Sequence, residues 1–349
     1  MAHRKLAVLF GGRSAEHEVS VQSAASVWRA ADRDKYELIP VAISKSGKWI
    51  RGLNPLEVLA QGESVPETEV GQNPVEALAG VDVAFPVLHG PYGEDGTIQG
   101  LLEILDIPYV GSGVLASSLC LDKAMAKQVF AQCGFPQGSF LTFQSNYCRE
   151  QPAAVLRAVE EQLGFPCFVK PANMGSSVGI SKVHIPDSLP QALELAATYD
   201  SKIVIEAFID GREIECSVLG NDEPVVSVPG EIVPAAEFYD YEAKYVSDSQ
   251  VIIPAPLTPK QVAEVQQLAL SVYKAVGCSG LARVDFFLRR ADEQFLINEV
   301  NTMPGFTRIS AYPKLWEASG LAYSRLIDEL IVYALERHAE RRAFGMVIS

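Results

Sequence analysis

Between Gly280 and Pro304 the chain reads GLARVDFFLRRADEQFLINEVNTMP, two strongly apolar runs around a polar turn, each with a carboxylate set inside it. The pattern predicts two β-strands, Leu281 to Leu288 and Phe295 to Asn301, joined over Arg289 to Gln294. Side chains alternate faces along a strand, so Arg283 and Asp285 share one face of the first. Glu299 and Asn301 are expected on one face of the second, in line with Phe295 and Ile297. That face is then apolar deep in the sheet and acidic at its open end. Two carboxylates and an amide oxygen from separate strands suit Mg²⁺, a hard cation that also takes phosphate oxygens. A solvated hairpin with ordinary surface charges is the competing reading. It is weakened because a carboxylate inside an apolar run is costly without a partner, and a cation supplies one.

At 349 residues the chain has room for two or three domains. Hydrophobic residues make up 48% and charged residues 21%, the balance of a globular protein. A net charge of −14 argues against nucleic acid or an anionic membrane as the main partner, while a local basic pocket can still hold a nucleotide. No apolar run is long enough to span a bilayer. The apolar stretch Leu6 to Phe10 is too short for a secretion signal and ends in Gly-Gly, so it reads as a first buried strand of a cytoplasmic protein. Cysteines 120, 133, 148, 167, 216 and 278 are scattered without a C-x-x-C pair, which fits reduced thiols.

Along the chain, strand, glycine turn and helix recur from Lys5 to about 121, the pattern of a doubly wound α/β unit with ligands at the strand C-termini. The first turn, GGRSAE, lacks the G-x-G-x-x-G of a dinucleotide site. Three units are expected, residues 1–121, 122–211 and 212–349. In the third, Glu213–Leu219 and Pro224–Val228 pair as strands. Glu231 to Ile253 is a long aromatic and polar connection of little regular pattern, and a connection that long is disordered or functional. Pro259–Val276 and Tyr323–Arg341 read as helices.

Lys170 stands at a strand end and opens the loop KPANMGSSVG, whose backbone N–H groups can wrap phosphate oxygens. A plain Gly/Ser hairpin turn is the alternative, and the lysine favours phosphate. Lys123, at the start of the preceding helix, is a weaker phosphate candidate beside a solvated helix-end lysine. After an apolar strand, Glu206 and Ile209 can hydrogen-bond a purine with Phe208 as a wall, and Glu213 can take ribose hydroxyls; a domain-connecting strand explains the same residues equally well. Glu16 and His17 follow Gly11-Gly12 at a strand C-terminus, where a carboxylate suits an ammonium group or simply the N-terminus of a helix. His89-Gly90 closes the third strand similarly.

Taken together, LFGGRSAEHEVS, HGPYGEDGTIQG, LDKAMAK, FVKPANMGSSVG, YDYEAKYVSD, GLARVDFF and NEVNTMPGFTRISAYPKLW resemble the D-alanine–D-alanine ligase family of the ATP-grasp superfamily, from Lys5 to about Leu335. TRISAYPKLW is similar to the A-type branch. The resemblance implies a mixed α/β and α+β ATP-grasp fold of three domains, the first Rossmann-like. It implies ATP between the central and C-terminal domains, with Lys123, Lys170, Ser176 and Ser177 on its phosphates. Glu206, Phe208, Ile209 and Glu213 would hold adenosine, and Lys244, Phe287, Asn298 and Glu299 also belong to the ATP site. Asp285, Glu299 and Asn301 would carry two Mg²⁺ ions, with Mn²⁺ as a substitute.

By the same resemblance Glu16 would bind the amino group of the first D-alanine. Ser310, the Ala311 backbone and Lys244 would position the second, with His89 on the substrate side. Arg283 and the Gly305 N–H would stabilise the tetrahedral centre. The Glu231–Ile253 connection is similar to the family's mobile loop, whose Tyr245 would close toward Ser176 and Glu16. The resemblance further implies D-alanine in both positions, an acyl phosphate as intermediate, a product used for peptidoglycan precursors, and a homodimer. Another carboxylate–amine ligase of the superfamily and a nucleotide-binding regulator are the rivals. The substrate-shaping motifs oppose the first, and the intact metal and arginine set opposes the second.

Overall fold

The computed structural model describes residues 3–233 and 250–345. Lys244 and Tyr245 lie outside the described residues. Strands are numbered in chain order. The apolar run at the N-terminus forms β1 (Arg4–Gly11), central in a four-stranded sheet with β2 (Tyr36–Ile43), β3 (Trp49–Arg51) and β4 (Val83–Pro86), in the order β3-β2-β1-β4. β1 pairs in parallel with β2 and β4, and a parallel sheet is covered on both faces. Leu6, Val8 and Phe10 accordingly pack with Val21, Ala24 and Val27 of helix His17–Ala30, while Ala7 and Leu9 pack on the other side with Ile98 and Leu102 of helix Thr97–Ile104.

The second sheet is antiparallel: β5 (Phe140–Gln144), β6 (Cys167–Pro171), β7 (Ser181–Val183) and β8 (Lys202–Ala207), in the order β5-β8-β6-β7. β5 carries no strong strand signal and was not expected from the sequence. Cys167, Val169, Ile203 and Ile205 face a core with Val155 and Val159 of helix Pro152–Gln162 and Leu193 of helix Leu189–Ala196. Alternation therefore turns Phe168, Lys170 and Glu206 to the opposite face, which they share with residues of the loop between β6 and β7.

The third sheet holds β9 (Gly211–Gly220), β10 (Val225–Val226), β11 (Gly230–Val233), β12 (Gln250–Ile252), β13 (Gly280–Arg289) and β14 (Phe295–Asn301), in the order β12-β11-β9-β13-β14 with β10 beside β9. The pairing of β9 with β10 matches the expectation. The ends of the long connection are not irregular: β11 and β12 pair antiparallel, so residues 234–249 join two neighbouring strands. Helix Pro259–Ala275 covers the back of the sheet. It opens on a capping box between Thr258 and Gln261, which satisfies backbone donors that a helix start leaves orphaned.

One expectation is corrected here. The ladder matches Asp285 with Glu299 but Phe286 with Ile297, so Asn298 is an extra residue, a β-bulge. The bulge reverses the alternation. Phe295, Ile297 and Val300 enter the core, whereas Asn298, Glu299 and Asn301 line the open face. Glu299 and Asn301 are thus opposite Phe295 and Ile297, not in line with them. If the strand ran without a bulge, strict alternation from Ile297 through Asn298 would drive the Glu299 carboxylate into the core.

The last helix, Tyr323–Gly345, returns to the first sheet, where Leu326, Ile327, Leu330 and Ile331 share a core with Leu6, Val8 and Phe10. Arg337 on that helix donates to the Tyr109 carbonyl at 3.1 Å, to Ser279 Oγ at 2.8 Å and to the Gly111 carbonyl. It pins the connection after β4 to the start of β13.

Candidate active site

The three sheets converge on a cleft of about 640 Å³, lined by Glu16, His89, Lys123, Lys170, Ser176, Ser177, Glu206, Phe208, Ile209, Glu213, Arg283, Phe287, Asn298, Glu299, Asn301, Gly305, Ser310 and Ala311. Residues proposed from separate stretches of sequence thus share one space. Asp285 stands just behind this wall, 1% exposed.

On the third sheet Glu215, Asp285 and Glu299 lie side by side on adjacent strands. Such acids repel unless cations intervene. Arg283 grips Asp285 with Nε at 2.8 Å and Nη2 at 2.7 Å, and Nε is also 3.2 Å from Glu215. Burial works against the guanidinium charge, but Asp285 and Glu215 hold its pKa well above the ordinary value. Asn301 donates its amide to Asp285 Oδ2 at 2.8 Å, which leaves Asn301 Oδ1 as an acceptor. Glu299 faces the Lys123 ammonium at 3.6 Å. Two carboxylates and an amide oxygen are a sparse oxygen set. Among the described residues no group of three His, Cys, Asp or Glu converges for a metal. Such a set fits a hard cation that takes its remaining ligands from water and phosphate.

The second sheet supplies cations. Lys170 reaches Glu206 Oε2 at 2.8 Å, and Lys127 reaches Glu206 Oε1 at 3.3 Å. Burial alone raises a carboxyl pKa; here Lys127 and Lys170 overcome it and bring Glu206 down to about 2. Lys123 also donates to the Met174 carbonyl at 2.8 Å, which ties helix Lys123–Gln132 to the loop. In that loop Ser176 and Ser177 both have positive φ, 45° and 60°, a conformation that costs a residue with a side chain about 1 kcal/mol or more and that recurs at ligand-binding loops.

Glu16 stands at the N-cap position of helix His17–Ala30 without a side-chain capping bond and is 7% exposed. Its carboxylate accepts the Ser176 hydroxyl, which joins the first sheet to the loop of the second. It fits because Gly90 and Gly175 face it: a Cβ on Gly90 would stand 2.6 Å from Glu16 Oε2, and one on Gly175 would collide with the same oxygen. At the far wall Ser310 begins helix Ala311–Ala318 and binds the Thr307 N–H at 3.0 Å, so a helix N-terminus opens toward the cleft beside Gly305.

Two histidines serve the frame. His17 Nδ1 lies 2.6 Å from the Gly12 carbonyl while Nε2 accepts the Val65 N–H at 3.0 Å, so both ring nitrogens are occupied inside the first unit. His89 borders the cleft, but Nδ1 meets the Met303 carbonyl at 3.0 Å and Nε2 meets Ser23 Oγ at 3.1 Å. Burial pushes its pKa down. His89 therefore positions the segment after β14 that carries Gly305 and does not itself offer a free nitrogen.

Three residues of this arrangement were missed from sequence. Lys127 follows Lys123 by four residues, on the same helix face, a spacing that could have exposed it. Glu215 shares a face of β9 with Glu213 by simple alternation. Glu94 had no such signal. It accepts the Gly90 N–H at 2.7 Å and the Met303 N–H at 3.0 Å, and so clamps the first sheet's loop to the third sheet's. Burial, with Glu16 nearby, pushes its pKa up to about 8.

Comparison with known proteins agrees with this architecture. The family model for the D-ala D-ala ligase N-terminus matches residues 5–112, and the model for the D-ala D-ala ligase C-terminus matches residues 129–332. The chain is 50% identical over 360 aligned residues to a D-alanine–D-alanine ligase of Thermoanaerobacter sp. strain X514, covering 98% of this chain and 99% of that one. It is 49% identical to the enzyme so named from Bacillus velezensis, covering 96% and 98%. The solved D-alanine–D-alanine ligase from Coxiella burnetii superposes with a TM-score of 0.81 at 34% identity, over 99% of this chain and 97% of that one. The D-Ala:D-Ser ligase VanG from Enterococcus faecalis superposes with a TM-score of 0.83 at 37% identity, over 95% and 100%. With both halves matched and near-complete coverage, the chain belongs to the D-alanine–D-alanine ligase family.

Proposed function

We propose that this chain joins two molecules of D-alanine to D-alanyl-D-alanine, with ATP as phosphoryl donor and an acyl phosphate as intermediate. The observation that carries this reading is the meeting, in one cleft, of an acid for an ammonium group (Glu16), a lysine and serine loop for phosphates, and an arginine–carboxylate–amide set. The base of ATP lies against Phe208, Ile209 and Phe287, with Glu206, Glu213 and Asn298 around it. Lys123, Lys170, Ser176 and Ser177 take its phosphates. When bound, a divalent cation would be held by Asp285, Glu299 and Asn301 and would neutralise phosphate oxygens. Two Mg²⁺ ions, replaceable by Mn²⁺, are the proposed complement.

Glu16 holds the ammonium of the first D-alanine, so its carboxylate points at the γ-phosphorus. Attack in line forms the C–O–P bond and releases ADP. Ser310, the Ala311 N–H and Lys244 hold the second D-alanine by its carboxylate. Its amine, having lost a proton, attacks the acyl carbon. Arg283 uses Nε and Nη2 on Asp285, so Nη1 remains to meet the developing oxyanion together with the Gly305 N–H. Collapse expels phosphate and leaves the amide. Exclusion of water, which would otherwise hydrolyse the acyl phosphate, is the part proposed for Tyr245.

Among the described residues no helix is long and apolar enough to cross a membrane. A cytoplasmic homodimer supplying peptidoglycan precursors completes the reading. Its test is isotopic. With D-alanine labelled by oxygen-18 in the carboxylate, an acyl phosphate hands one labelled oxygen to the released phosphate. Unlabelled phosphate alongside dipeptide would overturn the intermediate.

A further inference from the structure

Lys127 is a buried charge to which the ligation scheme gives no task. It is 3% exposed, its ammonium 3.3 Å from Glu206 Oε1 and 5.7 Å from the centre of the Phe140 ring. Glu206 and Lys170 line the cleft, and Lys127 stands behind them. Burying an ammonium is costly, and Lys170 already neutralises Glu206. Within direct contact the cluster thus holds two cations to one anion, while Glu299 acts on both lysines and Glu213 on Lys170 from farther away.

The surplus has a consequence. A buried carboxylate with a single lysine would bind that lysine fully. With Lys127 on Oε1, Lys170 can turn donors to an incoming phosphate while Glu206 stays ionised. Each Glu206 oxygen retains a lone pair for a donor in the cleft.

We propose that Lys127 is a positioning residue that keeps Glu206 an ionised hydrogen-bond acceptor for the exocyclic amino group of adenine, and thereby sets the base specificity of the site. This rests on the reading of the cleft as the ATP site. Phe208, 41% exposed two residues after Glu206, supplies a face for the ring. An ionised carboxylate cannot donate, so a base carrying oxygen at that position would meet it lone pair to lone pair.

The experiment compares ATP with purine riboside 5′-triphosphate, which carries hydrogen in place of the amino group, in the wild type, K127M and K127R. The wild type is expected to prefer ATP by about tenfold or more in kcat/KM, the range for a hydrogen bond to a charged group. K127M loses most of that preference, through KM more than kcat, and K127R restores it. If circular dichroism shows K127M unfolded, K127Q, which removes the charge and keeps a donor, takes its place with the same expectation. An undiminished preference in the charge-free variant overturns the proposal. A wild type that uses both nucleotides equally overturns it too. A wild type that neither binds nor uses ATP overturns the reading beneath it instead.

Discussion

Glu16 and Ser176 are 160 residues apart in the chain, yet the serine hydroxyl donates to the glutamate carboxylate. One stands at the first helix of the first sheet, the other at the tip of the loop between β6 and β7. The contact makes the acid assigned to the first substrate also a latch for the loop assigned to phosphate, so filling either subsite reaches the other.

Ser176→Ala removes the latch and leaves the carboxylate. A hydrogen bond to a charged group contributes about 1.5–3 kcal/mol, so kcat/KM for the first D-alanine is expected to fall about 10- to 100-fold, with little change in melting temperature. Steady-state kinetics and a thermal melt check this. Unchanged kinetics would mean that the contact serves neither subsite.

Deleting Asn298 removes the bulge, yet plain alternation from Ile297 then still turns Glu299 to the cleft and Val300 to the core. What the cleft loses is the Asn298 side chain and the bend that the bulge gives the strand. The variant is expected to stay folded, within about 2 kcal/mol of wild type, while KM for ATP rises about tenfold. Urea denaturation and steady-state kinetics measure the two effects. An unchanged KM would show that the bulge does not serve the nucleotide.

Glu94 has its pKa raised from 4.5 to about 8 by burial, then by Glu16. The folded state thus holds a proton that the unfolded state releases, so this group's contribution to stability is fully present below about pH 4.5 and is lost as pH rises toward 8. Glu94→Gln carries no such proton. Over this window wild-type stability should fall relative to the variant by a few kcal/mol. Denaturant midpoints at pH 5, 6.5 and 8 give the difference; parallel curves would contradict the burial argument.

Arg337→Met should destabilise without touching the chemistry. The arginine is buried on two carbonyls and a hydroxyl, all of which lose their donor. A loss of about 2–4 kcal/mol is expected, with kcat at 20 °C within about twofold of wild type. A large drop in kcat would make the join between the first and third sheets part of catalysis.

The sequence made β9, β10, β13 and β14 of the third sheet and the 170–179 loop legible, because period-two apolar runs and a lysine before Gly-Ser-Ser are local signals, whereas β11 and β12 were hidden in the long connection. It did not make the bulge legible: NEVN reads as plain alternation, and only the ladder shows Asn298 as the extra residue. His17 looked like a site residue because it neighbours Glu16. Its two nitrogens are taken by Gly12 and Val65, and the second contact lies 48 residues away. Glu94 was illegible for the same reason, since its partner Met303 is 209 residues distant. Long-range pairing, whether of polar side chains or of the strands β5, β11 and β12, is what the chain's linear order conceals.

The most direct measurement is phosphate release with ATP, Mg²⁺ and D-alanine, set against L-alanine alone and D-alanine with D-serine or D-lactate, with the products identified by mass. Release with D-alanine alone, matched by D-alanyl-D-alanine, is the expected result. Release only with a different amino acid, or ATP binding without release under any condition, would contradict the D-alanine ligase reading while leaving the cleft's geometry intact.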